Sequence, residues 1–173
     1  METQTPLKTT PIFSEHSSLG AQMAPFAGWN MPIQYSGIIN EALYTRKGVC
    51  AFDICHMGEF LIKGDYKKTG LDNIVTASIH HLPIGSCRYS SMLNAQGGII
   101  DDLIVYRKAQ EEWMIVINAA TIDKDENHFL KNLTRGTFFK NLSAELGKID
   151  LQGPLAREVL KPLIPACADL KYY

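Results

Sequence analysis

Gly97 to Val105 reads GGIIDDLIV, two adjacent aspartates inside a run of aliphatic and β-branched residues. Such a run forms a strand, and Asp is depleted in strands, so this stretch decides both the fold and the site. Successive side chains on a strand face opposite sides. Asp101 therefore shares a face with Ile99, Leu103 and Val105, and Asp102 with Ile100, Ile104 and Tyr106. Both faces are apolar. Whichever side packs, at least one carboxylate is directed into weakly hydrated surroundings, where an unpaired charge costs several kcal/mol unless hydrogen bonds or a ligand compensate it. That is the pattern of a functional site. The alternative is that Asp101 satisfies backbone amides released by the Gly97-Gly98 turn. Composition does not choose between the two carboxylates.

Outward from this stretch the pattern is antiparallel. CRYSSML (87–93) precedes it and WMIVINA (113–119) comes after it, across NAQG and KAQEE, both of hairpin-turn composition. GEFLIKG (58–64) places Phe60 and Ile62 on one face of a further strand. TFFKNLS and GKIDLQG read as two more short strands. Helices are expected at IFSEHSSL, between Pro11 and Gly20, and from a Ser36 cap to Gly48 with Ile38, Ile39, Ala42, Leu43 and Arg46 as its stripe. Others are expected from Asp65 through LDNIVTASI, after a Thr121 cap with Ile122, Phe129 and Leu133 as apolar positions, and from Pro154 through LAREVLKPLI. The middle of the chain thus reads β-α-β-β-β-α-β. The class is α+β, antiparallel sheets with flanking helices.

The chain has 173 residues, 46% of them hydrophobic, enough for one sizeable core or two small ones. Seventeen basic and eighteen acidic side chains lie interspersed, so no electrostatic footprint points to nucleic acid or a membrane surface. No apolar stretch reaches the roughly 20 residues of a bilayer span, and METQTPLKTTPIF has neither signal- nor transit-peptide composition, which predicts a cytoplasmic protein or an already processed one. Cys50, Cys55, Cys87 and Cys167 lack paired spacing and read as reduced packing residues. Adjacent Cys55 and His56 would point apart on a strand, as would His80 and His81, so no metal site is expected. There is no G-x-S-x-G elbow, GxGxxG or Walker pattern. FAGWNMPIQY (26–35) reads as a tight aromatic corner serving core or interdomain packing. Asn118, at the end of an apolar strand, either fixes a ligand's polar edge or holds a turn. The closing LKYY, two aromatics just after a helix, suggests a truncated chain.

Taken in order, TPIFSEHSSLGAQMAPFAGWNMPIQY, FDICHMGEFLIKG, NAQGGIIDDLIVY, VINAATIDKD and LQGP resemble the amino-terminal half of the glycine cleavage system T-protein, the aminomethyltransferase family, over essentially the whole chain. The resemblance implies a three-domain fold around a central folate pocket. Residues 1–52 would be the first part of domain 1, 53–148 the α+β meander of domain 2, and 149–173 the truncated return to domain 1. It implies an enzyme that moves the methylene of an aminomethyl group, carried on the lipoyl arm of the H-protein, to tetrahydrofolate with release of ammonia. The critical acid of the family corresponds to Asp102. Met57, Tyr89, Tyr106 and Asn118 match its folate-pocket residues, and further contacts would come from a carboxyl-terminal half beyond residue 173. Cys55 stands where Ser is common in the family. A folate-dependent demethylase on the same scaffold, or a non-catalytic folate-binding protein, are the alternatives.

Overall fold

The computed structural model describes residues 6–171. The opening five residues and the closing Tyr172 and Tyr173, on which part of the truncation argument rests, lie outside it. The chain divides into two compact units, one made of the residues before Met57 together with those from Gly147 on, the other of Met57–Leu146.

The second unit is built on a five-stranded sheet of β4 (Gly58–Lys63), β5 (Cys87–Leu93), β6 (Ile99–Ala109), β7 (Glu112–Ile117) and β8 (Phe138–Asn141). Its spatial order is β5-β6-β7-β4-β8, and every pairing is antiparallel. The meander arises because each hairpin is short. Asn94 Oδ1 accepts from the Gln96 and Gly98 amides in the first turn, an Asx arrangement that closes β5 onto β6. One sheet face carries Phe60, Ile62, Val105, Trp113, Ile115 and Ile117, all fully buried. Against it lies α5 (Ile122–Asn132), whose Phe129 meets Phe60 edge to face with ring centroids 5.6 Å apart. Leu71, Ile74, Ile79 and Leu82 complete that core.

The helix expected from Asp65 to Ile79 is two short ones, α3 (Tyr66–Thr69) and α4 (Leu71–Ile74). Gly70 at φ +75° breaks between them, and Val75 is already extended, so β-branched residues beyond it leave the helix. The strict alternation along β6 also fails at one place. Met92 pairs with Asp101 and Leu93 with Ile99, which leaves Ile100 as a bulge. Ile100 consequently packs on the core side, and Ile99 is exposed.

In the first unit, α1 (Phe13–Ser18) and α2 (Ile38–Lys47) accompany two ribbons. β1 (Gln22–Phe26) and β2 (Trp29–Gln34) form a hairpin, and β3 (Cys50–Asp53) pairs antiparallel with β9 (Ile149–Gln152). The latter pairing keeps the late strand with the early one. A short α6 (Ala156–Leu160) and a 3₁₀ turn at Pro165–Asp169 replace the longer final helix expected from LAREVLKPLI. FAGWNMPIQY is the β1-β2 hairpin rather than a packed corner. Its two-residue turn has Ala27 at φ 49° and Gly28 at φ 83°, the positive-φ pair that matches strand twist. Met31 is buried, whereas Phe26 and Tyr35, on the same face nearer the ribbon ends, are exposed. The α2 cap differs too. Gly37 occupies the N-cap, and Glu41 reaches back to accept from the Tyr35, Ser36 and Gly37 amides at 2.7, 2.7 and 3.0 Å.

Among the described residues no helix is long and apolar enough to cross a membrane. None of Cys50, Cys55, Cys87 and Cys167 forms a disulfide.

Candidate functional site

Strand register places the two aspartates on opposite faces of the second unit's sheet. Asp101 lies on the side of buried Leu103 and Val105, toward α5. Asp102 lies on the other side with Ile104 and Tyr106, all half-buried. On β5, Tyr89 is opposite Ile104 and Ser91 opposite Asp102, so Tyr89 is a diagonal neighbour of Asp102. Its hydroxyl donates to Asp102 Oδ2 at 3.0 Å. On the other flank Leu103 pairs with Ile117, which brings Asn118 beside Asp102 at the end of β7.

Asn118 joins the two acids. Its Nδ2 is 2.9 Å from Asp101 Oδ1 and 3.2 Å from both Asp102 Oδ1 and the Asp102 carbonyl. Asp101 Oδ1 also accepts from the Asp102 amide at 2.9 Å, and Asp101 Oδ2 accepts from the Thr121 hydroxyl. Burial works to raise the Asp101 carboxyl, but hydrogen bonds from Asp125, Thr121, Asn118 and the Asp102 amide outweigh it and hold Asp101 below the usual carboxylate value. The turn amides are served by Asn94, so Asp101 is not there to satisfy the hairpin. It is the buttress under Asn118 and Asp102.

Three of the five sequence-predicted residues, Tyr89, Asp102 and Asn118, are thus joined by hydrogen bonds. Met57 immediately precedes β4, whose first residue pairs with Ile117, so it stands at the same end of the sheet as Asn118. Tyr106 is on the face of Asp102 but four residues farther along β6, roughly 13 Å at the usual strand rise, and pairs with Cys87 and Met114. A cavity of about 490 Å³ lined by Leu82, Pro83, Ser86, Cys87, Arg88 and Tyr89 adjoins the face through Tyr89. The larger cavity, about 800 Å³, belongs to the first unit and shares none of the five residues.

Thr121 and Asp125 are not singled out as site residues by the sequence. Thr121 does stand at the α5 N-cap, but its hydroxyl is committed to Asp101 rather than to a helix amide. Asp125 belongs to the DKD of VINAATIDKD, where it looks like an ordinary first-turn acid of a helix; only the three-dimensional pairing shows that it is fully buried. In the first unit His16, also unforeseen, is held between Tyr35 and Asp53. Its Nδ1 is 2.7 Å from the Tyr35 hydroxyl and its Nε2 2.8 Å from Asp53 Oδ2. Burial disfavours the Asp53 charge, but donors including Cys55 and His16 outweigh it and keep the carboxyl below its ordinary value. Among the described residues no three His, Cys, Asp or Glu side chains gather as a metal would require.

Known proteins resemble this chain over nearly all of it. The sequence pattern of the GCVT N-terminal domain family matches residues 12–173. An aminomethyltransferase of Phocaeicola vulgatus is 42% identical over 168 residues, 96% of this chain and 46% of the relative. That of Thermotoga maritima is 42% identical over 170 residues, with the same coverage of 96% and 46%. The crystal structure of glycine cleavage system aminomethyltransferase T from Bartonella henselae superposes with a TM-score of 0.84 at 36% identity, covering 90% of this chain and 43% of that one. The chain spans about half the length of the curated relatives it matches.

Proposed function

The chain belongs to the GCVT N-terminal domain family, and from that premise we propose that it supplies the reacting carboxylate of a tetrahydrofolate-dependent aminomethyltransferase. The two compact units correspond in this reading to parts of the first and second domains of such an enzyme. The methylene of an aminomethyl group passes to tetrahydrofolate from the lipoyl arm of a carrier protein, the H-protein: the carbon–sulfur bond breaks to leave the lipoyl thiol, and the amino group departs as ammonia. The protein works in the cytoplasm.

The observation that carries the proposal is Asp102 on a half-open sheet face, fixed by Tyr89 on one side and Asn118 on the other. Tetrahydrofolate, when bound, supplies the amine that receives the one-carbon unit. The residues present suit a flat, elongated ligand with a polar edge. Tyr89 and Tyr106 offer aromatic faces on one side of the sheet, Met57 an adaptable thioether, and Asn118 and Asp102 polar groups at one end. Asp102 Oδ1 and Oδ2 each already accept from a fixed donor, so the carboxylate has one orientation rather than a spread of rotamers. A carboxylate held in this way orients an incoming N–H and takes up the proton released as the new C–N bond forms, a contribution of about 10²–10⁴-fold in rate.

The test is an assay of the protein at the length of its relatives. With an aminomethylated lipoyl carrier and tetrahydrofolate, ammonia should be released in step with folate modification, and neither should occur when the carrier is omitted. Methyl transfer from a small methylated donor, with no ammonia, would instead support the demethylase. Folate binding without turnover of any donor would leave a binding protein.

A further inference from the structure

Asp125 sits on α5 with its side chain fully buried, and neither carboxyl oxygen receives an N–H or O–H within the described residues. Two donors are close, and both are spent. Lys124 Nζ is 3.9 Å from Asp125 Oδ1, outside hydrogen-bond reach, and donates to the Ile100 carbonyl at 2.8 Å. Thr121 has one hydroxyl hydrogen, and it is shared between Asp101 Oδ2 and the Asn118 carbonyl. What Asp125 does face is the Asp101 carboxyl: Thr121, one helical turn before Asp125, directs its hydroxyl to Asp101 Oδ2, which sets the two acids side by side. Two carboxyl groups bond to one another only through a proton, because ionised oxygens are acceptors alone. Asp101 already accepts from Thr121, Asn118 and the Asp102 amide, which favours its ionised form. The proton therefore resides on Asp125.

We propose that Asp125 is a positioning residue of the Asp102 site: a carboxylic acid whose proton bridges to Asp101 and thereby fixes the Asn118 amide against Asp102. The proposal rests on the functional reading above for its effect on transfer, but not for the existence of the shared proton. Burial, together with the neighbouring Asp101 carboxyl, pushes Asp125 up to about 7, while Asp101 moves in the opposite direction, as members of a proton-sharing pair do. The groups that act on Asp125 are Asp101 from β6 and Thr121 and Lys124 from the start of α5. When Asp125 ionises, two carboxylates face each other in a dry interior. Asp101 must then give way, and Asn118 loses its support.

The experiment compares wild type, Asp125→Asn and Asp125→Ala in the protein at the length of its relatives. The amide of the Asn variant donates to Asp101 at every pH; the Ala variant donates nothing. Infrared spectra with ¹³C-labelled aspartate should contain a protonated-carboxyl band in wild type at pH 6 that fades as the pH passes about 7 and is missing from Asp125→Asn. Transfer by Asp125→Asn should stay within a few-fold of wild type and lose the decline that wild type shows above that pH. Asp125→Ala should fall by about tenfold or more at every pH, since small displacements of reacting groups are costly. Absence of the band, or identical pH profiles for wild type and Asp125→Asn, overturns the proposal. A band present while no variant, Asp102→Asn included, alters transfer would leave the shared proton standing and remove the functional reading.

Discussion

The two units of this chain satisfy their apolar residues very differently. In Met57–Leu146, alternation along β4, β6 and β7 delivers Phe60, Ile62, Val105, Trp113, Ile115 and Ile117 to one face, and α5 covers it until they have no exposed surface. In the first unit, α2 has the right period, yet Ile38, Ile39 and Leu43 are 62%, 74% and 56% exposed. Its ribbons have two strands each, and two-stranded ribbons are marginal on their own. Periodicity states which face is apolar; burial also requires a partner element. The second unit contains its partner, and its other sheet face carries Asp102, Tyr89 and Tyr106 beside buried Glu59 and Val116.

Three substitutions or conditions test that contrast. Phe60→Ala should cost about 3–5 kcal/mol, read from the urea midpoint, because the cavity would open against Phe129 and Phe139. A loss below about 1 kcal/mol would mean that the face is only loosely closed. A smaller effect, on the order of 2 kcal/mol, is expected from pH through Asp125. Its carboxyl is raised in the fold, so its contribution to stability is complete below the ordinary value of 3.8, declines as the pH rises, and is gone above about 7. His56 and His128, both held below 6.5 chiefly by burial, pull the opposite way over part of that range, so the measurement is the difference between wild type and Asp125→Asn at pH 4.5 and 7.5. Asp101 has a lowered carboxyl, and its contribution is lost only as the pH falls below 3.8. The smallest effect belongs to Ile39→Ser, which should move the midpoint by less than about 0.5 kcal/mol. A loss approaching that of Phe60→Ala would show that the α2 stripe is covered in solution and would erase the contrast.

Much of this architecture was legible in the residues. The meander, the apolar face of β4 and the helix after Thr121 come from period and turn chemistry, and the cost of burying charge says that the paired aspartates must find hydrogen-bond partners, which they do. Pattern failed where one backbone event re-aims the neighbouring residues. The Ile100 bulge exchanges the faces of Ile99 and Ile100, and Gly70 splits one expected helix into two. The β1-β2 hairpin was hidden because its turn puts Ala rather than Gly or Asn at the first positive-φ position. At the site, Asp102, Tyr89 and Asn118 were nameable in advance through a family resemblance. Asp125 was not, because a buried acid in a helix's first turn is spelled in the same way as an exposed one, and only the long-range pairing of α5 with β6 tells them apart.

Asp102→Asn, compared with wild type for one-carbon transfer to tetrahydrofolate and for urea midpoint in the same preparation, separates proton uptake by Asp102 from support of the fold. Uptake of a proton by the Asp102 carboxylate on a preformed face predicts a rate lower by about 10²–10⁴-fold with an unfolding midpoint close to that of wild type. Equal transfer rates in the two proteins would contradict it.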